Sequence, residues 1–223
     1  MFGDIKYRPV DRRTNFVKRV VGMPGERISI KGDTIYINGK KQLVPENAQF
    51  LYFALMSRPL SEEQCHELGI ALADVQMVPS NRPEFGYTVD AMPAGNKTGS
   101  YLYQLPMTQA MIDSLKADGQ LVNYLRWDGS AQEYYLFPQG IADIEQWTLA
   151  DYGGDEGLLI PQKGMTVELT PRNWLLYQRC IRNYEGHSDA EFKNGKVYIG
   201  GKPADSYTFA MDYYFMMGDN RHM

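Results

Sequence analysis

Two stretches of alternating apolar and polar residues, each interrupted by a glycine-containing turn, constrain the fold of this chain most. The first, "ISIKGDTIYINGK" at 28–40, has the turn "KGD" between its two runs. The second, "AEFKNGKVYIGGK" at 190–202, aligns with the first without a gap. Alternation with a period of two is typical of a half-buried strand, and two such runs around a short glycine turn predict a β-hairpin. The sequence therefore predicts antiparallel sheet towards both ends of the chain.

The two stretches have two interpretations. They are either ordinary hairpins that share turn chemistry or the two copies of an ancestral duplication. Upstream, "QRCIRNYEG" at 178–186 weakly resembles "KRVVGMPGE" at 18–26, with Gln178 where the first copy has Lys18. A duplication predicts two hairpins of one shape in one β core, with Tyr36 and Tyr198 in equivalent environments. The identical pairs are Lys31 and Lys193, Tyr36 and Tyr198, Ile37 and Ile199, Gly39 and Gly201, and Lys40 and Lys202.

Composition favours a β-rich globular protein. Hydrophobic residues make up 43% of the 223 residues, and 16 Tyr, 21 Gly and 12 Pro are present, a balance suited to strands joined by many turns. No window approaches the roughly 18 apolar residues of a membrane span, and the residues after Met1 lack a signal-peptide pattern. Neither a membrane-spanning segment nor a signal peptide is therefore expected within the chain.

Three helices and several further strands are predicted between the hairpins. "SEEQ" at 61–64 is a capping box ahead of a short helix that ends near Gly69, and "TQAMIDSLKADG" predicts a helix from Thr108 to about Gly119. The strongest helix begins at Thr170-Pro171. Its apolar stripe consists of Trp174, Tyr177, Ile181 and Tyr184, and Gly186 follows its end. Strands are expected in "YLYQL", "QLVNYLRW" and "EYYLF".

The charge distribution and the few histidines and cysteines indicate which ligands and covalent links to expect. Residues 1–41 hold ten Lys or Arg and four Asp or Glu, whereas the whole chain has a net charge of −4. The basic part lacks an aromatic-studded nucleic-acid motif, so no nucleic-acid partner is expected. Three scattered histidines and no Cys/His spacing predict neither a metal nor another cofactor. Cys65 and Cys180 are interpreted as two core thiols, with a disulfide as the alternative.

The segment "FVKRVVGMPGE" at 16–26 places two cations inside an apolar strand pattern. Because side chains alternate across a strand, Lys18 shares a face with Phe16 and Val20. One interpretation is an edge strand whose cations reach out to water. The other is functional: burial favours a neutral lysine, which is a general base, whereas Arg19 keeps its charge and needs a carboxylate.

A carboxylate for Arg19 is present near the end of the chain. The apolar run from Tyr213 to Met217 stops at Gly218-Asp219-Asn220. This is a turn sequence, and it also provides the acidic group that a buried Arg19 requires. We therefore expect an Arg19–Asp219 ion pair that joins the two ends of the chain.

These two segments resemble two signature motifs of bacterial type I signal peptidases, and "GDI" at 3–5 resembles a third. The resemblance implies a membrane-anchored serine endopeptidase with a Ser–Lys dyad, built on an antiparallel β catalytic core. Lys18 corresponds to the general base, Arg19 pairs with Asp219, and Gly218 and Asn220 support the site. Phe16 and Val17 line the substrate groove. The implied fold is mainly β, with core pieces at 1–44 and 190–223 and a larger inserted β-rich domain with short helices at 45–189.

The resemblance also implies partners and a location. The substrates are preprotein signal peptides, and the site faces the extracytoplasmic (periplasmic) side of the bacterial cytoplasmic membrane. The nucleophilic serine of the family lies in a Ser-Met-x-Pro motif that follows a membrane helix upstream of "GDI", and this sequence has neither. We therefore expect the chain to be an inactive part of a signal peptidase. The alternatives are a non-catalytic protein-binding module on the same scaffold and a Ser–Lys peptidase with other substrates.

Overall fold

In a computed structural model of the chain, residues 17–31, 34–78, 101–127, 147–154 and 157–219 are described, together with Pro138 and Ile144. The helices are α1 Glu62–Leu68, α2 Gln109–Ala117, α3 Leu149–Gly153 and α4 Pro171–Arg179. The strands up to the middle of the chain are β1 Arg19–Gly22, β2 Arg27–Lys31, β3 Thr34–Ile37, β4 Lys40–Lys41, β5 Phe50–Met56, β6 Gln76–Val78, β7 Tyr101–Met107 and β8 Leu121–Arg126. The later strands are β9 Leu158–Leu159, β10 Thr166–Glu168, β11 Glu191–Lys193, β12 Lys196–Ile199, β13 Lys202–Ala204, β14 Ser206–Thr208 and β15 Phe215–Met217. The protein is thus mainly β, as the sequence predicted, although the strand expected in "EYYLF" lies outside the described residues.

The strands form small antiparallel sheets around two separate cores. One four-stranded sheet has the order β4-β3-β2-β9, and the three-stranded sheet has the order β11-β12-β13. The pairs β1–β15 and β10–β14 complete this part of the molecule, and β6-β7-β5-β8 form the second four-stranded sheet. The core beside β1–β4 and β9–β15 is therefore assembled from distant parts of the sequence. The core beside β5–β8 is assembled from neighbouring parts.

The first core joins both ends of the chain to the long helix. Ile28 of β2 and Val197 of β12 are buried in one cluster with Trp147, Trp174 and Phe209. The second core lies between the sheet of β5 to β8 and the two helices α1 and α2. Its buried residues include Tyr52, Ala54, Met56, Leu105, Ile112 and Leu115. The opposite face of that sheet contains a third, smaller group of Phe53, Leu55, Val78 and Leu102.

The two predicted hairpins are confirmed, and each is extended by a third strand. The corresponding cross-strand partners are Ser29–Tyr36 and Glu191–Tyr198, Lys31–Thr34 and Lys193–Lys196, and Ile37–Lys40 and Ile199–Lys202. Both second turns have two residues with positive φ, Asn38-Gly39 and Gly200-Gly201, as a two-residue type I′ turn requires. Both hairpins contribute to the first core, and Tyr36 and Tyr198 are both half-buried.

The weaker upstream resemblance has no structural counterpart. Residues 19–22 form strand β1, whereas 178–184 are helical. The structural repeat is thus limited to the two three-stranded units. The suggestion that Gln178 stands where the first copy has Lys18 is wrong as a statement about structure.

The three predicted helices are confirmed together with their caps. Ser61 and Thr108 each accept a hydrogen bond from the backbone three residues on, and Thr170 caps α4 with Pro171 in its first turn. The predicted stripe on α4 is wrong at one position, because Tyr184 is 59% exposed. After Arg179 the helix continues as a π-helical segment, Cys180–Tyr184. Its i→i+5 bonding breaks the spacing on which the stripe was based.

The cysteines are two free thiols, so the disulfide alternative is wrong. Cys65 is buried on α1, and Cys180 is half-buried directly after α4. Within the part of the chain that the structure describes, no helix is both long and apolar enough to cross a membrane.

Candidate active site

Strands β1 and β15 bring the two sequence motifs together. They pair antiparallel, with Val20 opposite Met216 and Gly22 opposite Phe215. An irregularity in register lies between Val20 and Gly22. One face of this pair turns to the first core, where Val21 and Phe215 pack. The other face turns outward, and Val20 and Met216 are each 46% exposed there.

The predicted Arg19–Asp219 pair is confirmed. Arg19 Nε donates to Asp219 Oδ1 at 2.9 Å, and a terminal guanidinium nitrogen donates to Oδ2 at 2.7 Å. The hydrogen bond to Asp219 and its negative charge raise the pKa of Arg19 above its usual value. The two side chains are 52% and 31% exposed, so the argument that burial forces this pair is wrong. Two-pronged geometry, rather than desolvation, defines the contact.

Lys18 is exposed, as is Val17 beside it. The expectation that Lys18 is buried against Phe16 and Val20 is wrong on its Val20 side, because Val20 is itself exposed. The reason is geometric: Val20 lies on the outward face of the β1–β15 pair, and Lys18 precedes β1 among exposed residues. Phe16 and Asn220, which were predicted as site residues, lie outside the described residues.

Asp219 also contacts the sheet of the second core through its backbone. Its carbonyl oxygen accepts a hydrogen bond from the backbone N–H of Gln49 at 2.9 Å. Gln49 directly precedes β5, and Gly218 and Asp219 are half-buried. Sequence reasoning missed this contact, since Gln49 carries no motif that pairs it with a turn 170 residues away.

The turn after β1 is held by a hydrogen bond within the turn and by contacts to Ile160, which is distant in sequence. Gly25, with φ of +82°, donates its N–H to the carbonyl oxygen of Ile160, and the Glu26 carboxylate accepts from the N–H of Met23. Gly22 packs directly under the Ile160 side chain, where a Cβ would overlap Ile160 Cδ1. Ile160, another residue that sequence reasoning missed, therefore determines how closely β1 approaches the core.

Comparison with known proteins gives partial matches to one family. The model of the family "Signal peptidase, peptidase S26" matches residues 5–77. Signal peptidase IB of Staphylococcus aureus is 42% identical over 43 residues, which cover 19% of this chain and 22% of that protein. Signal peptidase I of Bacillus caldolyticus is 47% identical over 38 residues, which cover 17% and 21%. The chain thus spans about a fifth of the length of the curated relatives it matches.

No solved structure matches this chain. The region matched by the family model includes Lys18 and strand β1, and the structure brings Arg19 of that strand into contact with Asp219. Over residues 5–77 the chain is therefore similar to signal peptidases of the S26 family, and the strands described in the structure form a mainly antiparallel β fold.

Proposed function

We propose that this chain supplies the catalytic lysine of a serine endopeptidase that removes signal peptides from exported proteins by means of a Ser–Lys dyad. The observation that carries the proposal is the two-pronged bond between Arg19 and Asp219. It links the strand that follows Lys18 to the "GDN" turn, 200 residues further along the chain. The match of residues 5–77 to the signal peptidase family supports the interpretation of "FVKRVVGMPGE" at 16–26 as the motif that contains the catalytic lysine.

In this proposal Lys18 is the general base. A lysine takes a proton from serine only when its amine is neutral, and removal of water from the amine favours that form. Lys18 is exposed in this chain, so the desolvation must come from groups that cover the outward face of β1 and β15. A bound substrate peptide would exclude water from the Lys18 amine in this way. Arg19 and Asp219 then hold the strand, and their opposite charges offset each other beside the amine.

The proposed substrate site is the segment before and along β1. An extended signal peptide would bind beside this strand by strand addition, in which main-chain hydrogen bonds give affinity and side-chain pockets give specificity. Phe16 and Val17 are the proposed lining residues, and the 93% exposure of Val17 supports its accessibility to a peptide. Gly218 and Asn220 are proposed to support the turn that carries Asp219.

The nucleophile is proposed to lie outside these 223 residues. No Ser-Met-x-Pro motif occurs in the sequence, so we expect the chain alone not to cleave signal peptides. We further propose that the intact protein is attached to the bacterial cytoplasmic membrane, with this part on the extracytoplasmic side. Both points follow from the family resemblance.

The domain limits are also a proposal. The predicted scheme has catalytic-core pieces at 1–44 and 190–223 and an insertion at 45–189. Trp147, Tyr152 and Trp174 pack in the same core as Ile28 and Val197, whereas the residues of the second core and of the smaller group on the other face of its sheet come from 50–78 and 101–127. These contacts favour a smaller insertion, centred on the sheet of β5 to β8.

The test uses the full-length polypeptide encoded by the gene and a signal-peptide substrate. We expect Lys18→Met to reduce cleavage to background without loss of folding, because methionine keeps the apolar stem and removes the base. Lys41→Met is the matched control, since Lys41 is an exposed lysine on β4, and it should cleave like wild type. Cleavage retained by a folded Lys18→Met protein would refute the Ser–Lys assignment. Cleavage by the 223-residue chain that disappears with Lys18→Ala would instead place the nucleophile within it.

A non-catalytic peptide-binding module is the second candidate. It is favoured by the exposed apolar residues Val20 and Met216 on the outward face of β1 and β15. A full-length polypeptide that binds a signal peptide saturably and never cleaves it would support this candidate. Cleavage of unrelated peptides but not signal peptides would indicate a Ser–Lys peptidase with other substrates.

A further inference from the structure

Outside the candidate active site, the carboxylate of Glu185 accepts hydrogen bonds from two phenols and two backbone amides. Tyr207 Oη donates at 2.6 Å and Tyr213 Oη at 3.1 Å. The N–H groups of Ala210 and Met211 donate at 3.0 Å and 3.2 Å. Hydrogen bonds to an ionised acceptor are about twice as strong as neutral ones. Glu185 directly follows the helical segment Cys180–Tyr184. Its carboxylate thus binds four residues of the stretch from Tyr207 to Tyr213.

The donors around Glu185 are held by an aromatic cluster. Phe209, which is 1% exposed, makes edge-to-face contacts with Tyr177, Tyr207 and Tyr213 at centroid distances of 5.5, 5.4 and 5.8 Å. Burial raises the pKa of Tyr207 and of Tyr213, and the nearby Glu185 carboxylate raises both further. The two phenols therefore remain protonated and available as donors.

The segment bound by Glu185 leads directly to the candidate active site. Residues 209–214 connect β14 to β15, and Asp219 lies two residues past the end of β15. Backbone hydrogen bonds hold this connection at Phe209 and Tyr213, whose N–H groups donate to the carbonyl oxygens of Met165 and Pro161. Between these two points, the amides of Ala210 and Met211 bond to Glu185.

We propose that Glu185 is a positioning residue for the candidate active site. It holds the 209–214 connection, which sets where β15 runs against β1 and hence where Asp219 meets Arg19. The catalytic consequence rests on the proposed function, whereas the structural consequence does not. Glutamine at this position has a single acceptor oxygen, and its NH₂ group would face N–H and O–H donors. Glu185→Gln therefore removes the negative charge and part of the acceptor capacity with little change in shape.

The first experiment is hydrogen exchange, followed residue by residue, on the 223-residue chain. We expect Glu185→Gln to speed exchange about tenfold or more at the β1–β15 pairing and at Gln49, because hydrogen bonds to a charged group are lost. The pairing of β2 with β3 is the internal reference and should stay within about twofold of wild type. Glu191→Gln, which neutralises an exposed carboxylate on β11, is the control and should match wild type throughout.

Two results would overturn the positioning role. One is exchange at the β1–β15 pairing that is equal in Glu185→Gln and Glu191→Gln. The other is an equal increase at the β2–β3 reference, which would indicate general destabilisation. If Glu185→Gln does not fold, Tyr213→Phe decides, since it removes one donor and keeps the ring. Faster local exchange in Tyr213→Phe supports the role, and wild-type exchange overturns it.

The second experiment measures signal-peptide cleavage by the full-length polypeptide. We expect Glu185→Gln to lower kcat about tenfold, with little change in KM, and to shift the acid limb of the pH–rate profile. A smaller folded fraction would lower kcat and leave the shape of that profile unchanged. A wild-type kcat and profile in Glu185→Gln would overturn the catalytic consequence. Absence of cleavage by wild type would refute the proposed function, while the exchange result still decides the positioning role.

Discussion

A methyl group added at Gly22 is expected to clash with one particular atom of the core. Gly22 is buried on β1, opposite Phe215. A Cβ at this position would overlap Ile160 Cδ1, and it would lie 3.4 Å from Phe215 Cβ and 3.7 Å from Ile37 Cδ1. Ile160 is 2% exposed, so its side chain has little space into which to move. Since Ile160→Val deletes that same Cδ1, the two substitutions are expected to compensate each other.

The magnitudes follow from these contacts. Overpacking at Gly22→Ala costs about 1–3 kcal/mol in the free energy of unfolding, and the stiffer unfolded chain offsets about 0.4–1 kcal/mol of that cost. Ile160→Val alone costs about 0.5–1.5 kcal/mol through the lost methyl and the cavity. In the double variant the new methyl occupies the space vacated by Cδ1. We therefore expect the double variant to be about 1–2 kcal/mol more stable than the sum of the single changes predicts.

The assay is urea unfolding of wild type, both single variants and the double variant, with m-values compared to confirm a common unfolding transition. Ile28→Val provides the control, because Ile28 is fully buried in the same core and is not among the atoms nearest to a Cβ at Gly22. Combined with Gly22→Ala, it should be additive to within about 0.5 kcal/mol. Equal additivity for Ile160→Val would refute the close approach of β1 to Ile160.

Two further predictions concern the ion pair and the thiol. Asp219→Asn should speed hydrogen exchange at the Arg19 end of β1, and added salt should bring the exchange of wild type closer to that of the variant, because the ion pair is partly exposed and is screened by salt. The control is Asp205→Asn, which changes an exposed aspartate. Exchange in wild type that does not depend on salt would contradict this prediction. Burial raises the pKa of Cys180 from 9.0 to about 11, so stability from the neutral thiol is complete below pH 9 and is lost as pH rises towards 11. Cys180→Ala should flatten this loss in urea unfolding between pH 8 and 11, and an unchanged slope would contradict it.

Local sequence signals predicted most of the secondary structure. The capping residues Ser61, Thr108 and Thr170 begin helices because their side chains satisfy backbone N–H groups within the same turn. The hairpin turns at 38–39 and 200–201 follow from residues that tolerate positive φ. Signals of this kind act over three or four residues, so they can be read without knowledge of the tertiary structure.

Burial and long-range contacts were harder to predict. The apolar neighbours of Lys18 do not indicate which face of β1 is covered, and the structure leaves both Lys18 and Val20 exposed. The Arg19–Asp219 pair was predicted because opposite charges and a family pattern both pointed to it, although the reason given, burial, was wrong. The bond from Gln49 to Asp219 depends on how separate sheets meet, and no local pattern encodes it.

The pairing of β1 with β15 has a consequence for the order of folding. Val20 and Met216 are 196 residues apart when they pair, whereas Lys193 and Lys196 of the second hairpin are three residues apart. By loop-closure entropy alone, the longer connection costs about 4 kcal/mol more to close in an unfolded chain. The hairpins are thus expected to form early, and the strand pair beside Lys18 is expected to form only after the cores have shortened the path between its ends. A chain that is only partly folded would then contain both three-stranded units and still lack the site.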